Sequence, residues 1–189
     1  MIQRAMPLSE EQLEQFEVAV REAAPRADVC NAIESVYRAL QDAIDLRRPI
    51  CTTSGRCCRF DEFGHRLFVT TMEMAAFVGA REGEAPAEPG SSRAAGSAGA
   101  SPSQRDTSGC PFQLAGLCSV HAIRPFGCRV FFCDATSTDW QHRQYEFFQR
   151  ELKRLHERLE IPYFYVEWRQ ALRAVGLTPA PLSSSPDSL

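Results

Sequence analysis

At 189 residues the chain is about one domain long, enough to bury a core without covalent staples. Apolar residues make up 44% and charged residues 24%, and a net charge of -3 offers no broad positive field for phosphate backbones, which argues against nucleic acid as a partner. The opening stretch MIQRAMPLSEEQLEQ lacks an apolar run before its charges, and no later run reaches spanning length, so neither a secretory leader nor membrane association is expected and the reading is cytoplasmic.

In chain order, Ser9 and Gln12 offer a capping box for a first helix whose apolar face carries Leu13, Phe16 and Val20 and which stops near Pro25. A second helix is expected from about Asp28, because Val29, Ile33, Val36, Leu40 and Ile44 keep helical spacing until Pro49. His65 to Thr70 reads as a strand. Thr70 and Glu73 then offer a second capping box, for a helix through Met72, Met74 and Phe77 that ends near Gly79.

From 82 to 109 the composition turns to Gly, Ala, Ser, Pro and Glu with nothing large to bury, which predicts a disordered insertion. A long helix is expected over Ser137 to Glu160, with Trp140, Phe148, Leu152, Leu155 and Leu159 inward and with His142 and His156 on its solvated face. Tyr163 to Val175 reads as a strand or turn and a last short helix stopped by Gly176, followed by a disordered tail over 177–189. The fold expected is one domain over 1–176, mainly α with a minor strand component. N-terminal helices in 1–48 and a helical region in 137–176 pack around an irregular, cysteine-rich metal-binding centre built from 51–80 and 110–133.

Cysteine is the anomaly. Eight in a chain read as cytoplasmic point to metal ligands or reactive thiols before disulfides. Cys30 sits amid apolar periodicity and reads as a packing residue. The candidates for metal are Cys51, Cys57, Cys58, Cys110, Cys118, Cys128 and Cys133. In CTTSGRCC, Gly55 allows a tight turn beside the sulfurs and Arg56 and Arg59 add positive charge; in CPFQLAGLCSVHAIRPFGCRVFFC, Gly116 and Gly127 precede Cys118 and Cys128, and Arg124 and Arg129 flank Cys128. Exposed backbone N–H groups and nearby arginines both favour thiolate over thiol. Adjacent Cys57 and Cys58 are expected to point apart and to play different roles. Four thiolates satisfy zinc or a four-iron cluster, so seven sulfurs leave the stoichiometry open.

The combination of CTTSGRCC, CPF at 110–112, Cys118, RPFGCR at 124–129 and Phe131 resembles the YkgJ-like cysteine-cluster family, described as a zinc- or iron-chelating domain with a CxxCxxCC signature. The resemblance spans roughly Cys51 to Cys133 and implies metal chelation. Ser54 stands at the signature's second cysteine, and His121 stands where the family commonly has tyrosine. Serine is a poor stand-in for a soft ligand, so Ser54 lies outside the ligand set, or Cys30, His65 or His121 substitutes for it. That shifts the leading ligands to Cys57 or Cys58 with Cys110, Cys118 and Cys128, leaving Cys51 and Cys133 secondary. Flagellin lysine methylases carry a similar cluster, but this chain has no glycine-rich nucleotide loop after a strand, so methyl transfer is not carried over.

The function expected is therefore cysteine-ligated metal binding, by an iron-sulfur cluster of the 4Fe-4S type or by zinc, in a redox, metal-handling or accessory role and with a protein partner left open. Two alternatives stand beside it: a metal-dependent enzyme acting, for example, on a protein side chain, and a structural zinc module that binds a protein through the long helix.

Overall fold

Ser9 opens the first helix, α1 (Glu10–Ala23): its hydroxyl accepts from the Gln12 N–H at 3.2 Å, and the Gln12 side chain accepts from the Ser9 N–H at 3.0 Å. The computed structural model describes residues 8–83 and 109–177. Beyond Pro25, α2 (Ala27–Arg47) buries Val29, Ile33, Val36, Leu40 and Ile44. It ends where Arg48 turns left-handed (φ 52°) and returns its N–H to the Ile44 carbonyl at 2.7 Å, just before Pro49.

Strand β1 (Phe68–Thr70) is shorter than the expected His65–Thr70. It pairs antiparallel, Phe68 opposite Glu167, with a three-residue strand whose chain turns helical at Trp168, and the Trp168 N–H closes the ladder on the Leu67 carbonyl at 2.9 Å. Helix α3 (Thr71–Gly83) runs past the expected stop at Gly79. A Cβ on Gly79 would lie 3.1 Å from the Ala24 carbonyl oxygen and 3.8 Å from Cys30 Sγ, so this glycine serves close helix packing instead of ending the helix. Cys30 is accordingly a packing residue, its thiol directed at the Ala24 carbonyl.

The chain is next described from Gly109. A hairpin follows, β2 (Gln113–Leu114) and β3 (Leu117–Cys118), then the short α4 (Phe126–Val130), the long α5 (Thr138–Arg158), β4 (Tyr165–Glu167), which is the partner of β1, and α6 (Trp168–Ala174). The fold is mainly helical with two small two-stranded sheets among the described residues, as expected. The predicted insertion and tail lie outside the described residues except at 82, 83, 109 and 177. Among the described residues no helix is long and apolar enough to cross a membrane.

One apolar core joins all six helices. Trp168, fully buried, meets Phe77 edge-on at 5.0 Å and Phe112 at 6.1 Å, which fixes α6 against α3 and the second cysteine-bearing segment. Phe148, Leu152 and Leu155 of α5 are buried, whereas Trp140 and Leu159 pack half-buried at its ends.

Glu73 and His156 are among the polar side chains buried in this core. Glu73, 3% exposed, accepts from Thr70 N (2.9 Å), Thr70 Oγ1 (3.0 Å), Phe126 N (2.9 Å) and Tyr37 Oη (3.4 Å); burial raises its pKa and these donors oppose the rise. His156 corrects the expectation of a solvated face: it is 2% exposed, turned inward where the chain after α5 folds back. Its Nδ1–H donates to the Ile161 carbonyl at 3.2 Å, and Nε2 accepts from Met72 N at 3.5 Å, an arrangement open only to the neutral ring.

Two outcomes are expected. Glu73→Ala strands buried donors on three elements and should cost about 3 kcal/mol or more, read as a fall in the urea midpoint at unchanged slope. Burial lowers the His156 pKa from 6.5 to about 4, so the unfolded chain takes up the proton first as the medium is acidified. Its contribution is full above pH 6.5 and is lost towards pH 4, by roughly 3 kcal/mol. Urea titrations across that range should show the slope in the natural chain and a flatter profile in His156→Gln.

Candidate metal centre

The first cysteine segment reaches the site through a 3-10 turn, Arg56–Cys58, entered by Gly55 in a left-handed conformation (φ 68°). Gly55 also meets the second segment. A Cβ there would stand 2.4 Å from the Gly116 carbonyl oxygen and 2.6 Å from Gln113 Nε2, which donates to the carbonyls of Gly55 (3.1 Å) and Gly116 (3.3 Å). Ala115 (φ 49°) and Gly116 (φ 81°) form the two-residue turn between β2 and β3, both left-handed as a tight hairpin requires. Alongside, Cys110 N donates to the Cys58 carbonyl at 2.7 Å. These contacts join segments that are more than fifty residues apart in sequence.

They bring four sulfurs together. Cys58 lies close enough to Cys110, Cys118 and Cys57 to interact with each, in that order of effect, and its pKa is driven far up. The three sulfurs it serves move the other way: Cys57 falls to about 7 and Cys118 to about 6, both chiefly through Cys58, and Cys110 falls for the same reason. Backbone N–H groups add to this, from Phe112 to Cys110 and from Val120 to Cys118, each two residues after its cysteine. Cys128, on α4, adjoins the group. Desolvation and the charges of Cys110, Cys57 and Cys118 hold its thiol protonated, against the pull of Arg124.

The arginines divide differently from the sequence reading. Arg56 and Arg59 stack on Phe63, at 4.2 and 4.8 Å, and Arg59 also pairs with Glu62 at 2.9 Å, so their charge is used away from the sulfurs. Arg129 binds the carbonyls of Arg124 (2.8 Å) and Ala122 (2.6 Å) and lies over the Tyr37 ring. Arg124 is the arginine whose charge lowers the pKa of Cys57 and Cys118. It hydrogen-bonds exposed His121, and its buried Nε has no partner. Buried Trp168 Nε1 likewise lacks an oxygen or nitrogen acceptor; it faces Cys110 and lowers that thiol's pKa.

Of the seven candidate cysteines, the fold thus assembles Cys57, Cys58, Cys110 and Cys118 with Cys128 beside them, and it leaves two apart. Cys51 is exposed, and half-buried Cys133 faces Ser54 Oγ at 3.5 Å. Adjacent Cys57 and Cys58 join one group, contrary to expectation, because the 3-10 turn brings both side chains to the second segment. None of the proposed substitutes for Ser54 enters: Cys30 packs on Gly79, His65 stacks on Phe131 and bonds the Cys57 carbonyl, and His121 bonds Arg124. Gln113 and Trp168 carry no local signal that would have marked them.

The donor set suits a soft or borderline cation, and the two unpartnered buried N–H groups suit anionic sulfur. Cys58 is the sulfur that neighbours the other three. No group of three or more His, Cys, Asp or Glu side chains among the described residues is disposed around a point where an ion would sit. Comparison of the chain with family models, curated proteins and solved structures gives no significant match.

Gly55→Ala is expected to separate the two segments, since its Cβ meets backbone at 2.4 Å and the residue is left-handed. Faster alkylation of Cys58 and Cys110 than in the natural chain, followed by peptide mass spectrometry, would register it. Unchanged rates would show that the close approach is dispensable.

Proposed function

We propose that the chain binds a single metal ion through the thiolates of Cys57, Cys58, Cys110 and Cys118, with zinc as the ion and the joining of the two cysteine-bearing segments as its role. One observation carries this reading: Cys58 faces three sulfurs. A thiol has one proton to donate, so three sulfur neighbours cannot all be satisfied by it, and a cation removes the conflict by taking four thiolates at once. Four cysteine thiolates complete the ligand set of a closed, tetrahedral zinc site, with no inorganic sulfide required.

Further support comes from Arg124, the Trp168 N–H and the backbone N–H groups of Phe112 and Val120, which offset negative charge on sulfur. Zinc bound there would contribute folding energy on the order of 10 kcal/mol, as in small zinc sites. The resemblance to cysteine-cluster chelators points the same way. Cys128 supports a second reading, the 4Fe-4S cluster, because a fifth sulfur beside the group could replace one of the four.

Protein purified without oxygen and assayed for zinc, iron, sulfide and visible absorption is expected to be colourless with close to one zinc per chain. Cys58→Ser should lose the metal, and Cys51→Ser and Cys133→Ser should keep it. Brown protein with iron and sulfide would replace zinc by the cluster. Metal-free protein whose thiols all react at once would sink metal binding altogether.

A further inference from the structure

We infer that Cys51 and Cys133 form a thiol pair open to oxidative modification, closing a disulfide when a small disulfide such as oxidised glutathione reaches them. Both stand outside the four-sulfur group, and the chain around each is tied to the other. Ile50 N donates to Asp134 Oδ2 at 3.3 Å, Ser54 Oγ meets Cys133 Sγ at 3.5 Å, and Arg47 Nη2 donates to the Thr136 carbonyl at 3.0 Å. Cys51 therefore lies between two residues, Ile50 and Ser54, that are anchored on 133–134. Asp134 is itself fixed: it also accepts from Thr136 N (2.9 Å) and Ser137 Oγ (2.6 Å) at the start of α5.

Mobility and access complete the case. Among the described residues no backbone-to-backbone hydrogen bond outside regular elements holds residues 49–53, and Thr53 sits at φ 53°, so bonds to side chains set the path of this stretch. No helix or strand includes this stretch, so none has to break for Cys51 to meet the demands of disulfide geometry. Cys51 is exposed and Cys133 half-buried, which makes Cys51 the thiol that reacts first and Cys133 the resolving one.

The chemistry balances in two exchanges. The Cys51 thiolate attacks one sulfur of oxidised glutathione, forming a mixed disulfide and releasing one glutathione thiolate. The Cys133 thiolate then attacks Cys51 Sγ, forming the Cys51–Cys133 bond and releasing the second glutathione. Two protein thiols are oxidised and one glutathione disulfide is reduced to two thiols. Ser54 lies between Cys51 and the 3-10 turn and reaches Cys133. Serine there leaves Cys133 a non-ionisable neighbour, so the pair has no competing thiol beside it.

The test uses the full metal-loaded chain in buffers of reduced and oxidised glutathione, quenched with acid and digested with trypsin. Peptides 48–56 and 130–143 each contain one cysteine, so the product is read directly as a linked pair. Expected are that linked pair, loss of two of eight free thiols, and unchanged metal content. In Cys133→Ser, Cys51 should remain as the glutathione adduct, and in Cys51→Ser neither product should form. A persistent adduct on Cys51 in the natural chain, or a disulfide that includes Cys57, Cys58, Cys110 or Cys118 instead, overturns the pair. Metal content is measured separately, so chain that holds no metal but still yields the linked peptides would refute the metal reading and leave the pair standing.

Discussion

The buried carboxylate of Glu73 is the interaction on which the arrangement depends. As the third residue of α3 it closes the capping box with Thr70, an ordinary local use, but its second oxygen continues inward to the Phe126 N–H and the Tyr37 hydroxyl. One side chain thereby joins the start of α3, the middle of α2 and the first turn of α4. A carboxylate in this position is tolerated because four donors replace its water, and in return it fixes the segment that presents Arg124 and Cys128. Arg129 adds to the same node by lying over the Tyr37 ring while it holds two carbonyls of the preceding loop.

At the cysteines the governing constraint is crowding. Gly55 against Gly116, and Gly109 with a Cβ position 2.8 Å from the Cys58 carbonyl oxygen, let two backbones approach more closely than side chains permit. The sulfurs are then held near one another by main chain, not by their own attraction. Sulfurs gathered within reach of one cation and several N–H donors make an environment biased towards negative charge before any ion arrives.

Much of this was legible in the sequence, and the limits have physical causes. Both capping boxes and the apolar stripe of α2 were read correctly because they depend on neighbours three or four residues away. Gly79 was misread as a stop because its role depends on Ala24 and Cys30, which no local pattern reveals. His156 occupies a position polar by periodicity, yet it turns inward to bind Ile161 and Met72, contacts that exist only once the chain folds back after α5. The cysteine segments were recognisable from composition, whereas the partition into a group of four, a neighbour and an outlying pair follows from long-range contacts. The arginines show the same limit: proximity in sequence placed Arg56 and Arg59 at the sulfurs, and Phe63 and Glu62 draw them away.

The bond from Cys110 N to the Cys58 carbonyl spans a large separation in sequence, and that has a kinetic meaning. Helices α1 and α2 can form from local signals as they leave the ribosome, but the four-sulfur group cannot exist until the hairpin carrying Cys118 has been made and has searched back to the 3-10 turn. During that interval Cys57 and Cys58 are adjacent, solvent-facing thiols on an unfinished chain. The period of greatest vulnerability to stray metal and oxidant therefore falls during synthesis, and the mature fold shelters these two sulfurs only after the second segment has arrived.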